Sequence, residues 1–119
     1  MNFWISKKDI PLMPQWEAIV EMMRDKYLEA FTDEVVEVIY SKDCSLRYVI
    51  LKDEKGLFTY QLEAIYQFDE DEWKYICFHN DALPATWVPF GGIVGKSVFE
   101  NINEWLKELR AEPEYKQYF

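Results

Sequence analysis

A chain of 119 residues, half of them hydrophobic, sets 22 acidic side chains against 13 basic ones, for a formal net charge of -9. That length fits one domain, which at this size buries roughly two-thirds of its unfolded surface. The charge argues against nucleic-acid backbone or an anionic membrane as partner, since both need clustered Lys and Arg, and makes a basic protein surface the natural complement.

Met1 to Asp9 places Phe3, Trp4 and Ile5 ahead of Lys7 and Lys8, which is not the basic-then-apolar order of a signal peptide. No apolar run approaches the roughly 18 residues of a membrane span. A cytoplasmic protein with Cys44 and Cys77 reduced is the expectation.

Pro11 and Pro14 close the N-terminal segment. Trp16, Ile19, Val20, Met23, Tyr27, Leu28 and Phe31 then recur at helical spacing, which predicts an amphipathic helix from about Gln15 to Phe31. Val35 to Tyr40 and Leu46 to Leu51 read as strands joined by a polar hairpin connection, Ser41 to Ser45. Asp53-Glu54-Lys55-Gly56 supplies the next turn, with Gly56 able to take the positive φ that closes it. From Leu57 to Phe68 the sequence alternates. Phe58, Tyr60, Leu62, Ala64, Tyr66 and Phe68 make one apolar side, and Leu57, Thr59, Gln61, Glu63, Ile65 and Gln67 a mixed one, as in a central antiparallel strand.

Asp69 to Glu72 reads as an acidic hairpin tip and Trp73 to His79 as a fourth strand. Asn80 to Lys96, punctuated by Pro84, Pro89, Gly91, Gly92 and Gly95, reads as a long loop. Ser97-Val98-Phe99-Glu100 has the form of a capping box, opening a second helix to about Arg110 through Val98, Ile102, Trp105, Leu106 and Leu109. Pro113 ends it or begins another turn, and the aromatic tail to Phe119 is expected to dock on the domain or on a partner. The fold class is α+β in one domain, residues 1–119: a four-stranded antiparallel meander with an N-terminal and a C-terminal helix packed on one face, α-β-β-β-β-α.

Chemistry is sparse. Gly91 to Ser97 approaches a phosphate-binding loop, but Phe90 stands where its first glycine belongs. That leaves Gly95, Lys96 and Ser97 only as an anion-binding candidate at a helix start. His79 and Cys77, two apart on one strand, stand too far from each other for direct proton transfer. Cys44, Cys77, His79 and Asp81 lack zinc-ligand spacing, and Asp69 to Glu72 lack the alternation and glycine of a calcium loop. No catalytic residue, metal or cofactor is assigned.

Aromatic side chains exceed what two helix stripes and one sheet face absorb, and Tyr and Trp at a surface mark interface anchors. Trp73, Tyr75, Trp87 and Phe90 are the candidate anchors, with Asp69, Glu70, Asp71 and Glu72 as an electrostatic rim. The expected function is a non-enzymatic, small, acidic protein-binding module. It would be an inhibitor or immunity-type protein of the kind bacteria and phages use, or a homodimer. The alternative is a small-molecule binder or sensor with its pocket between the sheet and the Asn80 to Lys96 loop.

Overall fold

The alternating run read from Leu57 to Phe68 is the long strand of the sheet. In the computed structural model, which describes residues 10–79, 81–90 and 99–119, it spans Phe58–Gln67 (β3). Glu34–Tyr40 (β1), Leu46–Lys52 (β2) and Ala85–Pro89 (β4) complete one antiparallel sheet in the order β1-β2-β3-β4. Helix α1 (Trp16–Met23) precedes the sheet, α2 (Glu70–Ile76) sits between β3 and β4, and α3 (Ile102–Ala111) and α4 (Pro113–Tyr118) follow. The α+β class and the four-stranded antiparallel sheet with helices before and after it are as expected.

Local chemistry sets the turns. In the β1–β2 connection Asp43 Oδ1 accepts from Ser41 Oγ, Ser45 Oγ and the Ser45 N–H, and the Ser45 backbone bond above all holds its carboxyl below the usual carboxylate range. Gly56 takes φ +82° while Asp53 Oδ1 accepts from the Lys55 and Leu57 N–H groups. That turn fixes the β2–β3 register, which sets Tyr48 against Leu62 and Arg47 against Glu63.

The fourth strand is not the segment expected. Trp73 to His79 is helical up to Ile76, because Asp69 caps the helix. Its side chain accepts from the Glu72 N–H at 2.8 Å while Glu72 Oε1 accepts from the Asp69 N–H at 3.0 Å. The acidic run is therefore a helix start rather than a hairpin tip. The place beside β3 is taken by Ala85–Pro89, which lay inside the expected loop. Pro89 is tolerated at the end of an edge strand, where its missing N–H breaks no ladder bond.

Helix α1 stops eight residues before Phe31. Trp87 Nε1 donates to the Met23 carbonyl at 2.8 Å and Tyr40 Oη accepts from the Asp25 N–H at 2.7 Å. With Asp25 and Tyr27 at φ 60° and 64°, the chain cannot continue helically. The second long helix also begins later than expected. Phe99 is bonded to Phe58 through both backbone groups, at 2.7 and 2.8 Å, and the cap is Asn101, whose Oδ1 accepts from the Glu104 N–H at 3.0 Å. Ser97 lies outside the described residues.

The helices divide between the two faces of the sheet rather than sharing one. Tyr48, Ile50, Phe58, Tyr60 and Leu62 point to the face covered by Trp105, Leu106 and Leu109, and the aromatic tail docks there through Tyr115 and Phe119. On the other face Ile65, Ala85 and Trp87 meet Ile19 and Met23 of α1. Two apolar faces thus have two covers, which accounts for much of the aromatic surplus.

Candidate functional site

Helix α2 is where the acidic and aromatic features meet. Its buried side is Trp73, 8% exposed, whose indole N–H donates to the Pro11 carbonyl at 2.7 Å. Tyr66 Oη donates to Glu72 Oε1 at 2.7 Å and ties the end of β3 to the helix; this bond, more than burial, raises the Tyr66 phenol above its ordinary value. The opposite side faces solvent. Asp71 and Tyr75 stand one turn apart on α2, and Phe78 follows in the turn past its end. Tyr75 is 74% exposed, the most exposed aromatic side chain among the described residues, and Phe78 is 52% exposed. Asp69, Glu70 and Asp71 are exposed at the start of the helix, while Glu72 is held by its bonds to Tyr66 and Asp69.

The four expected anchors therefore separate. Trp73 and Trp87 are buried, with both indole N–H groups bonded to backbone carbonyls. Tyr75 stays available on α2. Phe90 is also exposed, but its N–H donates to the Leu62 carbonyl, four residues along β3 from Tyr66 and so roughly 13 Å from the α2 end of the sheet. Gly95, Lys96 and Ser97 lie outside the described residues.

The second concentration of unusual chemistry, which no expectation from sequence included, is on the α1 face. Arg47 is fully buried. Its Nε donates to Glu63 Oε1 at 2.9 Å, its Cζ lies 4.1 Å from the centre of the Trp87 ring, and its Nη1 and Nη2 have no hydrogen-bond partner among the described residues. Glu63 is buried too and accepts from Gln61 Nε2 at 3.1 Å. Beside Arg47, Tyr40 packs against Trp87, carries Arg24 over its ring at 5.5 Å and donates to Asp25 Oδ1 at 2.7 Å. Burial, then the bond to Asp25, raises the Tyr40 phenol. The signal in the sequence was a charge inside an apolar strand, in phase with Val49 and Leu51, and an opposite charge in phase on the next strand.

The nucleophile and base candidates are not assembled among the described residues. Cys77 is the C-cap of α2, with its thiol 3.6 Å from the Lys74 carbonyl, and His79 is exposed past the helix end. Cys44 sits in the β1–β2 turn at φ 62°. Among the described residues no group of three His, Cys, Asp or Glu side chains is placed to hold a metal ion, and no helix is long and apolar enough to cross a membrane. A groove of about 620 Å³ runs between Thr32–Glu34 and Lys52–Lys55, at the β2–β3 turn; its lining mixes acidic and basic side chains.

Both sheet edges are guarded against extension. β1 carries a register break between Val35 and Glu37, with Glu34 and Glu37 exposed, and β4 ends in Pro89. No family model, curated protein or solved structure matches this chain.

Proposed function

We propose that this protein is a non-enzymatic binding module that engages a basic protein partner through the solvent side of α2. Tyr75 and Phe78 serve as the anchors, and Asp69, Glu70 and Asp71 as the rim. The observation that carries this is the exposure of Tyr75 at 74% on α2 and of Phe78 at 52% just past its end, on a helix that opens with the exposed carboxylates Asp69, Glu70 and Asp71. Exposed aromatic side chains hold large contact area at low entropic cost, and a charged rim steers association with a surface of opposite sign. A second copy of the chain is the poorer partner, because a net charge of -9 repels itself and both sheet edges are blocked.

The test is affinity capture from native lysate with three baits: the natural protein, a Tyr75→Ala/Phe78→Ala variant and an Asp69→Asn/Glu70→Gln/Asp71→Asn variant. The expected result is a basic protein retained by the first bait, lost from the second and retained by the third only at low salt. The same set of captured proteins on all three baits, or none on the natural one, defeats the proposal.

A further inference from the structure

Asp71 and Tyr75 are two of the three parts of a contact that this chain completes elsewhere. On the α1 face Arg47 lies with Cζ 4.1 Å from the centre of the Trp87 ring while its Nε donates to Glu63 Oε1 at 2.9 Å. Beside it Arg24 lies over the Tyr40 ring at 5.5 Å, and the Tyr40 hydroxyl donates to Asp25 Oδ1 at 2.7 Å. Both arginines thus stand where a ring and a carboxylate come together. Lys52 lies over Phe58 at 5.7 Å, but pairs with no carboxylate among the described residues. The difference is one of side-chain chemistry. A guanidinium is flat and weakly hydrated, so it can lay one face on a ring while its edge donates two N–H groups to a carboxylate; an ammonium is a compact, strongly hydrated charge.

On α2 the ring and the carboxylate are present without the cation. Asp71 and Tyr75 are four residues apart on the helix, a spacing that brings their Cβ atoms within roughly 5–6 Å, and both are exposed. Among the described residues no basic side chain lies over the Tyr75 ring and none pairs with Asp71. Lys74, the one basic residue of α2, follows Glu70 by four positions and Asp71 by three, so it can neutralise one of them at a time and leaves the other in excess. We propose that the partner presents an arginine side chain to α2, its guanidinium flat on the Tyr75 ring and its edge on the Asp71 carboxylate. This rests on the reading of α2 as the binding surface, and narrows the basic partner to one that leads with arginine rather than lysine.

The experiment titrates the full, isotope-labelled chain with two capped peptides in which glycine alternates with either arginine or lysine, equal in length and charge, at one fixed ionic strength. Nuclear magnetic resonance follows the backbone amide signals of Asp71 and Tyr75. Both peptides are expected to shift these signals saturably, the arginine peptide binding about twofold to fivefold more tightly, as a surface cation–ring contact allows. Tyr75→Ala and Asp71→Asn should each bring the two constants together. Tyr75→Phe, which keeps a ring, should keep the preference, and so should Glu108→Gln, which removes an exposed carboxylate on α3. Equal constants in the natural protein overturn the arginine assignment and leave a basic partner standing. Signals that neither peptide moves overturn the basic partner as well. A preference that survives both Tyr75→Ala and Asp71→Asn overturns the proposed contact, and shifts at the same residues on concentrating the protein alone would assign the cation to a second copy, whose Arg110 is exposed, instead of a partner.

Discussion

Arg47 and Glu63 face each other across β2 and β3, Nε to Oε1 at 2.9 Å, with both side chains buried on the face that α1 covers. Breaking such a pair from one side leaves the other charge uncompensated in a dry environment. Glu63→Ala is therefore expected to cost about 3–5 kcal/mol, whereas a combined Arg47→Met/Glu63→Leu change is expected to cost far less than the sum of its parts. Urea unfolding of the two single variants and the double variant measures the coupling. A Glu63→Ala penalty below about 1 kcal/mol is what an exposed, water-screened pair gives, and would contradict its burial.

This pair was within reach of the sequence. Once Asp53 to Gly56 is accepted as the turn, Lys52 pairs with Phe58 and the count along both strands brings Arg47 opposite Glu63. The sheet was legible because its alternation is long and its turns carry Gly56 and the Asp43 and Asp53 caps. The fourth strand was not. Asp69 and Glu72 have capping-box spacing, but four consecutive carboxylates look equally like a hairpin tip, and the register that would have told them apart is set by β4, whose Pro89 disguised it. The early end of α1 was not local information either, since Trp87 and Tyr40, which stop it, come from the sheet. Which of the aromatic anchors would be exposed was illegible for the same reason. Read as a strand, 73–79 puts Trp73 and Tyr75 on one side; as a helix it puts them on opposite sides, and which side meets Pro11 is a tertiary fact.

The Asp69 cap gives a separable prediction. It satisfies one N–H at the start of a seven-residue helix that has little intrinsic stability. Asp69→Ala is expected to cost about 1 kcal/mol, and Asp69→Asn, which keeps an acceptor oxygen, only a fraction of that. Native-state hydrogen exchange of Trp73 and Cys77, whose amides bond within α2, should rise in Asp69→Ala while the β2–β3 amides hardly change. Uniform acceleration across the sheet would mean that α2 does not open on its own.

Tyr75 and Phe78 separate binding from folding. Neither belongs to the buried clusters, so Tyr75→Ala/Phe78→Ala is expected to leave stability within about 0.5 kcal/mol of the natural protein. Equilibrium unfolding checks this before any capture experiment is interpreted. A loss of several kcal/mol would place these rings in the fold rather than at an interface.

The tyrosines under α3 and α4 set the alkaline limit of the fold. Burial is the largest cause raising both Tyr48 and Tyr60 well above the ordinary tyrosine value of about 10. For Tyr60 the bond it donates to Glu112 Oε1 at 2.7 Å adds to this, and for Tyr48 the charges of Glu112 and Glu114 do so. Because the folded values lie above the unfolded one, the contribution is complete below about pH 10 and is lost as pH rises from there through the folded values. Part of the phenolate absorbance should therefore appear only as circular dichroism reports unfolding. Glu112→Gln keeps an acceptor for Tyr60 but removes the carboxylate charge, so the folded values of both tyrosines fall toward the unfolded one. Stability at high pH should then depend less steeply on pH than in the natural protein. Superimposable alkaline titrations of the two proteins would show that Glu112 does not govern these phenols.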